Sequence, residues 1–188
     1  KTQKKPLSKV HLKNCAEEFR KSIVRSKRSF LRTSCHANNT VSINNIKTIL
    51  DSWEADWGVP DVLIIDYADL LTPPLGAERY DKRDQVNATW KGLRSLGQSL
   101  HCLVLTATQS NRESFNAHLI NRSHAGEDIR KLAHASGVVG INVSASEKEA
   151  GLCRLNWPVK RKGRSTWTRC LHVAGCLALA QPAIISTY

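Results

Sequence analysis

Val59-Pro60-Asp61-Val62-Leu63-Ile64-Ile65-Asp66-Tyr67-Ala68-Asp69 is the stretch on which the reading of the fold turns. Four apolar β-formers in succession, without polar alternation, predict a central parallel strand covered on both faces. The run stops at Asp66, and a second acid follows at Asp69. In parallel sheets ligands collect at the carboxyl ends of the strands, so Asp66 emerges into that crevice, where a carboxylate can hold the water shell of a phosphate-bound Mg2+. Taken alone, the pattern also fits an Asp that merely opens a turn.

Working outward, residues 8–28 place Leu12, Cys15, Phe19 and Ile23 at helical spacing, with most of the basic residues on the opposite side. Residues 30–35 read as a short strand. Ser42 caps a helix whose apolar positions are Ile43, Ile46, Ile49 or Leu50, and Trp53, and Gly58 ends it. After the central strand, Thr72-Pro73-Pro74-Leu75-Gly76 forces a loop. Asp81 or Lys82 then opens a long helix with Val86, Leu93, Leu96 and Leu100 inward, and residues 102–107 form the next buried strand. The polar segment from Ala107 to Gly126 has no clear period and is expected to be a mobile loop. Residues 127–135 read as helix and 138–143 as another buried strand. Residues 152–159 and 166–173 flank a turn centred on Gly163 and predict an antiparallel hairpin that throws Lys160, Arg161, Lys162 and Arg164 outward. Helices alternating with short apolar strands argue for an α/β domain with a largely parallel sheet.

The chain has 188 residues and a formal net charge of +12. That length buries a sizeable core, and no low-complexity linker splits it, so a single domain is expected: a basic amphipathic segment over 1–29, a core over 30–173 and a tail over 174–188. Residues 1–32 hold eleven Lys or Arg against two Glu. Basic clusters of this density suit a polyanion, either nucleic-acid backbone or nucleotide phosphate, and equally describe a solvated basic face. Few aromatics interleave with them, so base stacking on this patch is not supported. No apolar stretch approaches a membrane span, and no signal-peptide core follows the basic N-terminus, which favours the cytoplasm. The six cysteines lack zinc-site spacing and read as free buried thiols in a reducing compartment. The histidines show no ligand spacing either.

Three motifs in order carry a resemblance. Ile64-Ile65-Asp66-Tyr67, then Thr106-Ala107-Thr108-Gln109-Ser110-Asn111-Arg112, then Lys160-Arg161-Lys162-Gly163, resemble the RecA-like P-loop NTPase motor domain of DnaB-type replicative helicases, especially phage-borne members, over roughly residues 30–173. The first resembles the family's Walker B strand, the second its sensor strand and the third the basic hairpin that reaches a neighbouring subunit. The resemblance implies ATP and Mg2+ as cofactors, with Asp66 on the metal through water and Gln109 as sensor. Arg161 becomes an arginine finger supplied to the adjacent subunit, and Lys160 and Lys162 supporting phosphate contacts. It implies single-stranded DNA as partner, with Arg112, Asn121 and Arg122 as contacts on a channel-facing loop, and a homo-oligomeric ring, a hexamer in this family.

One departure is large. The loop Gly-x-x-x-x-Gly-Lys-Ser/Thr, whose amides and lysine cradle nucleotide phosphates, is absent from these residues, and so is the family's catalytic glutamate. The chain opens on Lys1 and contains no methionine, which reads as an interior or C-terminal piece of a longer protein. These residues alone are therefore expected to hydrolyse ATP poorly or not at all. The expected function is an ATP-dependent helicase core moving on single-stranded DNA in replication. The alternatives are a non-catalytic nucleic-acid-binding or assembly module with the same fold, or a recombinase-type RecA-like ATPase.

Overall fold

The computed structural model describes residues 31–124, 129–162, 168–176 and 181–186, with Glu17 and Lys21 as isolated positions. The chain divides into two compact units, Lys1–His36 and Ala37–Tyr188. In the first, Glu17 and Lys21 are helical, and the rest of the helix expected over 8–28 lies outside the described residues. Residues 31–36 are exposed and carry no regular secondary structure, so the strand expected over 30–35 is not formed at its described positions. A short β-forming run becomes a strand only where a neighbouring strand and a core face take it up, and here the side chains stay in solvent.

The second unit opens with helix α1 (Ile43–Trp57), and its start is set by side-chain chemistry. Ser42 Oγ accepts from the Asn45 amide at 3.3 Å, while Asn45 Oδ1 accepts from the Ser42 amide at 2.9 Å. Two donors that the first turn would leave orphaned are thereby satisfied. Gly58, at φ +82°, ends the helix and donates its amide to Glu54. Strand β1 (Val62–Ile65) follows, then a 3-10 turn (Ala68–Leu70) and the proline loop. Asp81 caps helix α2 (Lys82–Ser99) by accepting from the Asp84 amide at 2.8 Å. The helix returns the chain to strand β2 (Leu103–Thr106), which pairs in parallel with β1 from Val62↔Leu103 to Ile65↔Thr106. Ala68, Val86, Trp90 and Leu93 form the core of this half, with Ile43, Ile65 and Leu71 packed against them.

The other half is antiparallel. Strand β3 (Gly137–Asn142), helix α3 (Ala145–Ala150) and strands β4 (Leu152–Lys160), β5 (Cys170–Cys176) and β6 (Gln181–Ser186) build a sheet of order β3-β4-β5-β6. The α/β class, the parallel pair and the C-terminal hairpin are as expected from sequence. The antiparallel part is larger than that hairpin, because β3 and β6 extend it on both sides. Residues 174–188, set apart as a tail, supply the end of β5 and all of β6. The hairpin tip at residues 163–167, with Gly163 and Arg164, lies outside the described residues.

Two expectations about burial are corrected. Strand β1 is not covered on both faces: Val62 is 44% and Ile64 69% exposed, whereas Ile65 packs on the α2 core. In β3, likewise, Val139 and Ile141 stand in solvent. The physical reason is that α2 covers one face of the parallel pair, and among the described residues nothing covers the other. The segment after Ala107 is also more ordered than expected, with 3-10 turns at Arg112–Asn116 and Arg122–His124, and the helix expected over 127–135 is a 3-10 turn, Ile129–His134. Cys35, Cys102, Cys153 and Cys170 are free thiols, yet none is fully buried, and Cys35 is exposed. No helix among the described residues is long and apolar enough to cross a membrane.

The asymmetry of β1 can be measured. Leu93→Ala should lower unfolding free energy by about 2–5 kcal/mol, because it opens a cavity in the core. Ile64→Ala should cost no more than about 0.5 kcal/mol, because its side chain is already in water. Urea denaturation of both variants separates these outcomes, and a large loss from Ile64→Ala would mean that this face is covered.

Candidate functional site

The carboxyl ends of β1 and β2 lie side by side, and hydrogen bonds fix the loops that leave them. Thr106 Oγ1 donates to the Ile65 carbonyl at 2.9 Å and accepts from the Ala68 amide at 2.9 Å. The turn that carries Asp66 and Tyr67 closes around this one hydroxyl. Asp66 is the first residue past β1 and its side chain is exposed. Three residues past β2, Gln109 Nε2 donates to Tyr67 Oη at 3.3 Å, so the loop after each strand touches the other.

Next to them lies a part-buried polar cluster around one fully buried lysine. The Asp69 carboxylate accepts from Trp90 Nε1 at 3.0 Å and from Thr108 Oγ1 at 2.5 Å, and lies 3.5 Å from Lys131 Nζ. Lys131, 1% exposed, donates to Thr108 Oγ1 at 2.5 Å, and its ammonium sits 5.9 Å from the centroid of the Trp90 ring. A buried ammonium is tolerated because a carboxylate, a hydroxyl and an aromatic face replace its water. In the sequence Asp69 stood out only as a second acid and Thr108 only as part of the sensor motif, and nothing marked Lys131. The one available signal was the indole of Trp90, which needs a partner once its helix is placed.

The hairpin residues occupy a different place. Arg161 donates from Nε to the Ala135 carbonyl at 2.9 Å and from Nη2 to the Ala133 carbonyl, and its amide donates to Ser136 at 3.1 Å. Its guanidinium is therefore anchored in its own chain, on carbonyls at the end of the turn that carries Lys131. The structure does not bring Arg161 to Asp66 or Gln109. Lys160 and Lys162 flank it and are exposed.

Arg112 and Arg122 lie on the segment after β2, and Arg122 Nε donates to the Pro158 carbonyl at 3.3 Å. Asn121 has a local role as well: its Oδ1 accepts from the Ser123 amide and hydroxyl at 2.8 and 2.7 Å, which starts the 3-10 turn. The segment is held by side chains of the antiparallel sheet. Asn142 Oδ1 accepts from the Ile120 amide at 2.6 Å, Asn156 Nδ2 donates to the Ile120 carbonyl at 2.7 Å, and the two amides bond to each other at 3.0 Å. Close by, Arg154 makes a two-point contact with Glu147, at 2.6 and 3.0 Å, and donates to the His118 carbonyl at 2.6 Å.

Among the described residues no three His, Cys, Asp or Glu converge to hold a metal ion outright. A single exposed carboxylate at a strand end nevertheless fits what a phosphate-bound Mg2+ asks of a protein, since that ion is dressed mainly by phosphate and water oxygens.

Solved structures of similar fold include two with related descriptions. One is an ATPase domain, at TM-score 0.67 and 15% identity, over 78% of this chain and 52% of that one. The other is a DnaB-like replicative helicase, solved with its interactions with primase, which matches at TM-score 0.61 and 15% identity, over 71% of this chain and 33% of that one. The chain shares its fold with that ATPase domain and with that DnaB-like helicase. The chain thus spans about half or less of the length of either structure it matches. No protein-family profile and no curated protein sequence matches it. Here β1 and β2 are neighbouring parallel strands, and the crevice at the carboxyl ends of such strands is where parallel sheets take ligands.

The Glu147–Arg154 pair gives the domain an acid-sensitive joint. The Arg154 hydrogen bond, followed by the Ser144 amide, holds the Glu147 carboxyl at about 2, below its ordinary 4.5. Folding favours the ionised form, so this contribution is complete above pH 4.5 and is lost as pH falls toward about 2. Glu147→Gln should flatten the pH dependence of stability in that window, measured by urea denaturation from neutral to acid pH. An unchanged acid slope in the variant would remove the pair from the account.

Proposed function

We propose that the chain is most of the ATPase core of a DnaB-like helicase, which couples ATP hydrolysis to movement on single-stranded DNA in replication and works as a homo-oligomeric ring in the cytoplasm. The observation that carries this reading is the meeting of the Asp66 and Gln109 loops at the carboxyl ends of two paired parallel strands, locked by Thr106 and by the Tyr67–Gln109 bond. Bound ATP with Mg2+ supplies the transferable phosphoryl group and its charge compensation. Asp66 holds the metal's water shell from the end of β1. The Gln109 amide hydrogen-bonds either the terminal phosphate or the attacking water, and being uncharged it does so without repelling either. Its neighbours lead into the segment that carries Arg112, Asn121 and Arg122, so a change at Gln109 is passed to residues proposed to touch DNA.

Arg161 is the proposed finger, in trans, with Lys160 and Lys162 as phosphate contacts. In the single chain its guanidinium is satisfied by the Ala133 and Ala135 carbonyls, so reaching a neighbour's nucleotide means exchanging those bonds for phosphate oxygens. Turnover also needs a phosphate-cradling loop, which these 188 residues lack, and on this reading a longer protein supplies it.

The test is ATPase activity of the full-length protein, with and without single-stranded DNA. DNA-stimulated turnover should fall by about a thousandfold or more in Arg161→Ala, the scale of a missing arginine finger. It should recover partly when that variant is mixed with Asp66→Ala, because the two defects then fall in different subunits. No turnover in the intact protein would favour the non-catalytic binding module instead. A separate measurement addresses the residues proposed to touch DNA. Arg112→Ala and Arg122→Ala should each weaken single-stranded DNA binding and flatten log K against log salt by about 0.7 for each phosphate no longer neutralised. An unchanged slope in both would place the DNA elsewhere.

A further inference from the structure

We propose that Lys131 is a positioning residue for the hydrolytic step: it ties the loop that carries Asp66 to the loop that carries Gln109, and so sets their mutual geometry. The inference rests on the ATPase reading above. Withdrawing an ammonium from water loses several kcal/mol unless close partners replace the solvent, and a leucine would fill the same space without that loss. The lysine is therefore informative through what it holds.

Its partners come from three separate parts of the chain. Asp69 lies three residues past Asp66, Thr108 immediately precedes Gln109, and Trp90 belongs to α2. The bonds run in one direction: Lys131 donates to Thr108 Oγ1, and Thr108 donates its own hydrogen to Asp69. With the ammonium in place the Thr108 hydroxyl has a single orientation left, pointing at Asp69. Without it, the hydroxyl and the backbone that aims Gln109 are free to choose others. Thr106 restrains the Asp66 turn independently. Lys131 adds a second restraint between the two loops, beside the Gln109–Tyr67 bond, and its side chain, 2% exposed, is enclosed among these partners.

The test uses Lys131→Met and the double variant Lys131→Met/Asp69→Asn. The single variant leaves an uncompensated carboxylate and is prone to unfold, whereas the double variant removes both charges. Hydrogen exchange on the folded variant should accelerate by about tenfold or more at residues 68–70 and 108–110 together, with β4 and β5 unchanged. In the full-length protein kcat should fall by about ten- to a hundredfold, the scale of a displaced reacting group, while KM for ATP stays within about threefold. A purely structural role would lower the amount of active protein without this split at saturating ATP. Wild-type kcat in the double variant, a rise in KM alone, or exchange that accelerates only within residues 129–134 would each overturn the proposal. If the intact wild-type protein shows no turnover, the proposed function falls, and the exchange data alone then decide whether Lys131 joins the two loops.

Discussion

The Thr106 hydroxyl holds the end of β1, and most of the domain's organisation hangs on it. It takes the Ala68 amide and gives its hydrogen to the Ile65 carbonyl, which bends the chain immediately after the strand. Ala68 is thereby carried to the centre of the apolar cluster, with no exposed surface, and Asp69 is placed under Trp90. Packing and chemistry share one origin here. The residues that bury the turn are neighbours of the residue that leaves it for solvent, so Asp66 stands on a rigid base without being enclosed.

A second group of polar contacts does for the antiparallel half what Thr106 does for the parallel pair. Ile120 has its amide and carbonyl taken by Asn142 and Asn156, which stand on adjacent strands and bond each other. Gly140 leaves room for this, since a Cβ there would stand 2.5 Å from Asn156 Oδ1. The Ile129–His134 turn lies between the halves in function as well as in sequence. One of its side chains, Lys131, enters the cluster beside the crevice, and the carbonyls near its end receive Arg161.

What the sequence made readable was local. The Ser42 cap, the Gly58 stop, the Asp81 cap and the two short apolar strands each follow from residues within one turn or one run of each other. The exposed face of β1 was not readable, because apolar composition reports what a face prefers and says nothing of what is laid against it. Lys131 was hidden for another reason. Its hydroxyl partner is 23 positions away and that hydroxyl's carboxylate 39 further back, and no periodicity encodes such a triangle. The same holds for Arg161, whose carbonyl partners lie 26 and 28 positions upstream. Asp66 stood out at the end of its apolar run and Gln109 through the resemblance, whereas the Tyr67 hydroxyl that joins their loops had no signal in the sequence.

The asparagine clamp on Ile120 bears on how such a domain can diverge. A segment held by a backbone ladder has its register written into every neighbouring residue, so changing its length disturbs the sheet. Here the grip is made by side chains, two amides on Ile120 with Arg154 on the His118 carbonyl and Arg122 on the Pro158 carbonyl beside it, so the loops beyond these anchors can change length while Ile120 keeps its address. Variation should therefore concentrate in the flanking loops, and drift at positions 142 and 156 should be strongly coupled. The surface carried by this segment can then be rewritten many times over on an unaltered frame.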